Sequence, residues 1–506
     1  LWYNTVVIFD SQTKELRKGK RNQVIKFKGS ESMNFLGIDL GTTSVKAAVF
    51  DEKGQRLALR SINYALDTSI PGFIEFQAER YVSICRELID TLASEYRITA
   101  LAVDSQGETL ILTDGEGKPL CPSVNWMDTR AADEAKLIEE KFGRQRVYET
   151  TGQPEITGGW PASKLLWFKN HRPETWAKTE KIFLLEDWVL FNLCGMFVSE
   201  PTLQSSSLYF DIRNKRWWEE MLDFIGISSV RLPEIVPSGT CVGEYNGIQV
   251  VTGALDQIAG SLGAGVSSPG EISEMTGTIM AVCVPCCDIP EYNPKSIIPC
   301  HLYATDGMYC RLLWSSTAGA ALRWFKDNFL PDERFSTLDE LAEKIPPGCD
   351  GLTFLPHLTG SSMPVWNPDA KGCFYGITLA HTRSHFVRAI LESVAYILKN
   401  DLDYIGFDGL SELRITGGGA YSNLWPQIKA DVTGYRLSTL TETECACLGS
   451  AMLAGLGAGA YPSLREAAAA SVRINRVFEP SGADYREAYR RYLDLDAKLT
   501  RRKMNG

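Results

Sequence analysis

Residues 37–44 read Gly37-Ile38-Asp39-Leu40-Gly41-Thr42-Thr43-Ser44. An apolar run ends on an acid, then turns at once through glycine and small hydroxyl residues. Phe35–Asp39 predicts a buried strand and Val45–Phe50 a second one. The turn Asp51-Glu52-Lys53-Gly54 leads to a third strand over Gln55–Ser61, which completes an antiparallel meander. Glycine lets the main chain approach an anion closely. Successive N–H groups and hydroxyls can then surround phosphate oxygens, which makes Gly41, Thr42 and Thr43 candidates for that task. Asp39, at the strand end, is a candidate to hold Mg²⁺ through water. The competing reading is an ordinary Asp-Gly turn closing a hairpin.

Outward from this stretch, helical and strand patterns alternate, which predicts an α/β protein. A helix is expected over Ala78–Ser94 and a buried strand over Ile98–Asp104. The opening pattern then recurs in the second half of the chain. Glu271–Thr276 reads as a strand, Gly277-Thr278 as a turn and Ile279–Val284 as a strand. That repetition suggests an internal duplication: two α/β halves with phosphate turns facing a shared cleft. Gly, Ala, Ser and Pro cluster over Gly263–Gly270, where a boundary and hinge are expected. The expected domains are 33–265 and 266–460, with a helical tail over 461–506 packed on the second. Residues 1–32 carry a basic stretch (Lys14, Arg17, Lys18, Lys20, Arg21, Lys26, Lys28) and are expected to be an extension outside the fold.

The chain has 506 residues, enough for roughly two to four domains. Its formal net charge is −10, and such a surface repels phosphate backbones, so nucleic acid is not an expected partner. No apolar run approaches the roughly 20 residues that span a bilayer, and no signal-peptide pattern stands at the start. A cytoplasmic location is expected, without membrane attachment. Thirteen scattered cysteines fit a reducing compartment rather than a disulfide framework. Cys283, Cys286 and Cys287 lie close in sequence, but their spacing matches no closed zinc pattern, and buried thiols are the expectation.

Three further motifs carry chemistry. Gly253-Ala254-Leu255-Asp256-Gln257 follows the apolar run Ile248–Val251 and precedes a small-residue helix with Gly260 and Gly263. A carboxylate held there can accept the proton of an attacking hydroxyl; the plainer reading of Asp256 is a helix N-cap. Thr276-Gly277-Thr278 is a second turn that could reach the β- or γ-phosphate. Gly417-Gly418-Gly419 follows a strand and leaves room for a flat ring or a phosphate; flexible turns use such triplets too.

Together and in this order, the motifs resemble the FGGY carbohydrate kinases, from about Met33 to Ala460. Two long signatures carry the likeness. One is Gly159-Trp160-Pro161-Ala162-Ser163-Lys164-Leu165-Leu166-Trp167. The other is Gly372-Cys373-Phe374-Tyr375-Gly376-Ile377, followed by His385-Phe386 and Ala389-Ile390-Leu391-Glu392. Core packing explains most of their side chains, so they identify the family more than they mark a site. The resemblance implies two duplicated ribonuclease H-like domains of the actin, hexokinase and heat-shock-ATPase superfamily around a central cleft. It implies ATP and Mg²⁺, with Asp256 as catalytic base and Asp39 as the Mg²⁺-associated carboxylate. Gly41, Thr42 and Thr43 would form the first phosphate loop, Gly277 and Thr278 the second, and Gly418, Gly419 and Asn423 part of the adenosine pocket. A homodimer is compatible with it.

The same resemblance places Asp104-Ser105-Gln106-Gly107-Glu108-Thr109 at the sugar. Xylulose kinases show Gln-Met-His-Gly there, and this chain lacks that His. Glycerol kinases show Asn-Gln-Arg-Glu-Thr, and here Gly107 stands for the Arg. Glu108 can accept hydrogen bonds from vicinal hydroxyls. Trp126, Asp128 and Gln257 join Gln106, Gly107, Glu108 and Asp256 as candidate substrate contacts; Asp128 and Arg130 could equally be a structural ion pair. Glycine at 107 is expected to leave space for a substrate longer than glycerol. The expected reaction is transfer of the γ-phosphoryl group of ATP to a pentulose such as xylulose, with glycerol or another polyol second. An actin-like or heat-shock-like ATPase or a non-catalytic sugar sensor are the other classes, and the presence of both Asp39 and Asp256 weighs against the sensor.

Overall fold

The computed structural model describes residues 33–500 apart from 362, 364–366, 407–409 and 411. The basic stretch before Met33 lies outside the described residues. The described residues divide into two compact units: residues 33–265, 301–308 and 444–472, and residues 266–300, 309–443 and 473–500.

The first unit is built on β1 (Asn34–Leu40), β2 (Ser44–Asp51), β3 (Arg56–Asn63), β4 (Ala100–Ser105), β5 (Cys241–Tyr245) and β6 (Ile248–Leu255). Their order across the sheet is β5-β6-β4-β1-β2-β3. The meander β1–β2–β3 is antiparallel, whereas β4 runs parallel to β1 and β6 parallel to β4. Strands buried on both faces read as continuous apolar runs, and β4 is buried at all six residues, including its acid Asp104. The core gathers Leu36, Ile38, Leu101, Val103 and Val250 with helix residues such as Ile84 and Leu88.

The second unit repeats the plan. Six strands of its main sheet are β7 (Glu271–Thr276), β8 (Met280–Cys286), β9 (Tyr309–Ser315), β10 (Glu412–Thr416), β11 (Leu437–Leu440) and β12 (Ile474–Phe478), and the short strand Cys300–Leu302 lies at the edge beyond β9. The six lie in the order β9-β8-β7-β10-β11-β12, with β7–β8–β9 antiparallel, β10 and β11 parallel, and β12 antiparallel at the edge. Meander, two parallel strands and an antiparallel edge thus occur in both units. The Gly-Thr turns at 41–43 and 277–278 occupy equivalent places, which is what the repeated sequence pattern predicts.

The grouping of residues by contact differs from the expected bounds at the C-terminal end. The helix Cys445–Gly457, expected in the second domain, groups with the first unit and packs on β1 and on the helix Asp256–Gly263. The tail from 461 is also not a single helical appendage to the second half. Leu464–Ser471 is a helix of the first unit, Ile474–Phe478 is the edge strand β12, and only Arg486–Thr500 is the expected charged helix. An alternating strand of five residues next to Arg and Glu is easily read as the end of a helix. No helix among the described residues is long and apolar enough to cross a membrane.

Glycine permits the close approach of the Cys445–Gly457 helix. A Cβ on Gly37 would stand 1.8 Å from Cys447 O, and one on Gly449 would stand 1.9 Å from Ala259 O. Gly260, on the same helix as Ala259, has nothing within 4 Å of its Cβ position. Gly449→Ala is therefore expected to lose about 3 kcal/mol or more of unfolding free energy. Gly260→Ala should be neutral or gain up to about 1 kcal/mol. Urea denaturation of the two variants checks the contrast.

Candidate functional site

Three carboxyls converge in the first unit because the sheet brings their strand ends together. Asp39 on β1 and Asp104 on β4 are direct partners in the parallel register. Asp256 begins the helix that follows β6, the next strand over. Asp104 is completely buried, while Asp39 and Asp256 are half-buried. Ser450 Oγ donates to Asp104 Oδ2 at 2.6 Å. The other Asp104 oxygen is buried without a hydrogen-bond partner among the described residues, and the Asp39 carboxyl is an electrostatic neighbour of the Asp104 side chain. Gln257 N donates to Asp256 Oδ1 at 2.7 Å, so part of the cap reading survives as a bond within the first helical turn.

Cations are scarce here. Lys46, the register partner of Asp39 on β2, is 2.6 Å from Glu444 and pulls Asp39 only partly back. Burial first, and then the Glu444 charge, holds Asp39 up at about 6. Burial and the Asp39 charge push Asp256 to about 8. Burial and Asp39 raise Asp104 well above the carboxylate range. Crowded acids with one buried oxygen lacking a donor fit a hard divalent cation with oxygen ligands. Among the described residues no group of three or more His, Cys, Asp or Glu side chains could hold a metal ion by itself. Asp39, with Asp104 behind it, would then hold Mg²⁺ alongside water and phosphate oxygens.

The sugar-loop residues join this centre through a hydrogen-bond chain. Trp126 Nε1 donates to Thr42 Oγ1 at 3.1 Å, and Thr42 Oγ1 donates to Gln106 Oε1 at 3.0 Å. Asn125 Nδ2 reaches the same Gln106 oxygen at 3.4 Å, and Gln106 Nε2 has no protein partner. The Thr42 hydroxyl proton is thus committed to the sugar loop, and the Gly41 N–H to Ser44 O at 3.1 Å. Trp126 is 43% exposed, which leaves its ring free to act as an apolar wall. Glu108 sits beyond, half-buried, with burial raising its carboxyl above the usual range. Thr43 and Gln257 are exposed.

Two candidate substrate contacts are corrected. Asp128 is fully buried and every oxygen is occupied: Oδ1 accepts from Arg130 N at 3.0 Å and Nε at 2.9 Å, Oδ2 from Ile74 N at 2.6 Å and Arg130 Nη2 at 2.7 Å. The Arg130 guanidinium also lies 3.8 Å over the Phe73 ring and 5.1 Å from that of Trp167. The structural ion pair is the reading that stands, and it explains the signature Trp167. Gly107 does not open space either. It is buried, and a Cβ there would come within 2.8 Å of Ser206 Oγ and 3.0 Å of Leu255 Cδ1.

In the second unit the two glycine motifs adjoin. Met275 pairs with Thr416 in the β7–β10 register, so Gly417–Gly419 folds against Thr276. Gly417 has φ of +75°, and its Cβ would meet Thr276 O at 2.7 Å; that of Gly419 would meet Thr276 Cβ at 2.9 Å. The fully buried Lys429 donates to Glu274 Oε2 at 2.8 Å and Thr276 Oγ1 at 2.7 Å, which fixes the strand entering the Gly277-Thr278 turn. The turn in turn accepts from the next helix, Ala320 N donating to Thr278 O at 3.0 Å. A cavity of about 270 Å³ is lined by Thr416, Gly417, Ala420, Tyr421, Thr443 and Arg476. Gly418, Gly419 and Asn423 are not among its lining residues. Asn423 Oδ1 is instead an acceptor for Arg476, whose Nη2 donates to Ala420 O at 2.5 Å. Asp104, Lys429 and Arg476 escaped the sequence reading. Each acts by contact across strands far apart in the chain, which no local pattern announces.

Raised carboxyl pKa values have a stability consequence. The fold retains protons that the unfolded chain releases above about pH 4, so that stability is lost as pH climbs through about 6 for Asp39 and about 8 for Asp256. The melting temperature of metal-free protein should fall between pH 5 and 8.5. Asp104→Asn, whose amide can donate to Asp39 without titrating, should flatten that fall by a few degrees; scanning calorimetry checks it.

A model of the N-terminal domain of the FGGY family of carbohydrate kinases matches residues 34–265, and its C-terminal counterpart matches 312–458. The xylulose kinase of Bacillus subtilis is 30% identical over 478 residues, covering 91% of this chain and 95% of that protein. The gluconokinase of Bacillus licheniformis is 30% identical over 498 residues, covering 92% and 96%. The structure of gluconate kinase from Lactobacillus acidophilus superposes with a TM-score of 0.86 at 23% identity, over 93% of this chain and 99% of that one. Sequence, fold and the paired Gly-Thr turns agree: this chain belongs to the FGGY family of carbohydrate kinases.

Proposed function

We propose that the protein transfers the γ-phosphoryl group of ATP to a hydroxyl of a neutral open-chain sugar, a pentulose such as xylulose first among them. The observation that carries this reading is the position of Asp256, a half-buried carboxyl with a raised pKa beside Asp39 and near Glu108. Asp256 takes the proton of the attacking hydroxyl. The hydroxyl oxygen bonds to the γ-phosphorus, the bond to the β–γ bridging oxygen breaks, and ADP leaves. Little covalent help is needed beyond alignment and charge stabilisation. Mg²⁺, when bound, supplies charge neutralisation on the phosphates, with Asp39 as its carboxylate. Glu108 and Gln106 orient the sugar hydroxyls, and Trp126 covers the carbon chain. The Gly277-Thr278 turn would meet the phosphates, and the cavity beside Gly417 and Ala420 would take the adenosine. A cytoplasmic setting, where ATP is available, suits these roles.

Charge distinguishes the substrates suggested by the relatives. Gluconate carries a carboxylate and calls for a cation. In the first unit the basic groups near the candidate sugar residues are already engaged: Arg130 with Asp128 and Glu75, Lys46 with Glu444, and Lys164 with main-chain carbonyls. That favours an uncharged ketose or polyol. Glycerol or another polyol is second, and the Gly107 packing removes the argument that a longer substrate is required.

ADP release measured against xylulose, ribulose, gluconate and glycerol tests the reading. A pentulose should give the highest kcat/KM. Preference for gluconate, or full-rate ATP hydrolysis without any sugar, would refute it. Asp256→Asn should lower kcat by about 10³-fold and change nucleotide affinity less than about twofold. Because the base works only when ionised, kcat/KM for the sugar at saturating Mg²⁺–ATP should fall on the acid side, with a midpoint below the value of about 8 of the metal-free protein, since the cation relieves the Asp39 charge that raises Asp256. A midpoint at or above 8 with the cation bound would contradict the assignment.

A further inference from the structure

The first family signature holds a residue that packing does not explain. Lys164 is the fourth residue of the helix Pro161–His171 and is 0% exposed. Burying an ammonium costs several kcal/mol unless bonds compensate. Its Nζ donates to Glu108 O at 2.8 Å and to Asn125 O at 2.8 Å. These carbonyls belong to two separate segments, the 106–109 loop and the 125–128 loop. Each carries residues assigned above to the sugar: Gln106 and Glu108 on one, Trp126 on the other.

The Glu108 backbone shows why such a tie is needed. Its φ is +55°, a left-handed conformation rare for a residue with a side chain. Thr109 N donates to Gly107 O at 2.7 Å, closing a three-residue turn centred on Glu108. A turn of this hand is strained and persists only where surrounding bonds hold it. The Glu108 carbonyl is held by Lys164. Burial pulls the Lys164 amino group down to about 7, and the Glu108 and Asp128 charges bring it only partly back; its N–H groups donate to the two carbonyls in either protonation state. Asp128 itself is committed to Arg130.

We propose that Lys164 is a positioning residue of the sugar site: a buried amino group that fastens the 106–109 and 125–128 loops to each other and fixes where Glu108 presents its carboxyl. The proposal rests on the assignment of those loops to the sugar. Through this contact a signature expected to be structural takes part in substrate recognition.

Lys164→Met, which keeps the apolar stem and removes the donor, tests it by two measurements. In steady-state kinetics the sugar KM should rise at least tenfold, with a smaller change in kcat and nucleotide affinity within twofold. In the ligand-free protein, amide hydrogen exchange should quicken in residues 106–109 and 125–129 together, and not in the 277–278 turn. A folded Lys164→Met protein with exchange unchanged in both loops, or with a sugar KM within twofold of wild type, overturns the proposal. Should Lys164→Met not fold, Lys164→Gln, which retains a shorter donor, takes both measurements under the same criteria. If wild type phosphorylates no sugar or polyol, the kinase reading fails by itself, and the exchange measurement still decides whether Lys164 ties the loops.

Discussion

The crowding of Asp39, Asp104 and Asp256 in a space with little positive charge is the constraint on which the first unit turns. Two of them are neighbours because β1 and β4 run parallel in register, and the third follows from β6 lying beside β4. Left alone, the cluster is an electrostatic liability, relieved by retaining protons. A bound divalent cation would relieve it differently, offsetting the carboxylate charges, releasing those protons and leaving Asp256 free to accept another. A kinase that leaves ATP intact until its other substrate arrives gains from such coupling between cation, charge and base.

Around that centre the fold is held by contacts that tolerate little change. Glycines at 37, 263 and 449 let the Cys445–Gly457 helix lie on β1 and on the Asp256 helix at main-chain distance, so the helix bearing Ser450 reaches Asp104. Buried lysines do comparable work in each unit. Lys164 ties two loops through their carbonyls, and Lys429 secures the strand leading into the Gly277-Thr278 turn. The second signature is different. Arg388 and Glu392 pair at 2.8 Å inside the second unit, and Phe386 stacks on Phe325 and meets Phe374 edge to face. That is packing, as the sequence reading expected.

Much of this was legible beforehand because it is local. Strand–acid–Gly–Thr–Thr announces both a turn and a carboxylate, and its recurrence at 276–278 announces the duplicated topology. Asp256 was legible because it follows an apolar strand and opens a small-residue helix. What was not legible depends on long-range neighbours. Gly107 suggested open space, but Ser206 and Leu255 fill it. Asp128 resembled a sugar ligand, but its short-range partner Arg130 and the Ile74 amide donate to both of its oxygens. Thr42 resembled a phosphate donor, yet its proton goes to Gln106. Asp104 stood in view within the sugar-loop motif, and only the β1–β4 register reveals it as the companion of Asp39.

The central claim is that this carboxyl cluster holds protons at neutral pH, on Asp104 and Asp256, which a cation displaces. Calorimetric titration of Mg²⁺ with a preformed nucleotide analogue into metal-free protein at pH 7.5, repeated in buffers of different ionisation enthalpy, measures proton release directly. Net release from wild type, diminished in Asp104→Asn, is the predicted result. Binding with no proton exchange, equal in both proteins, would contradict the account.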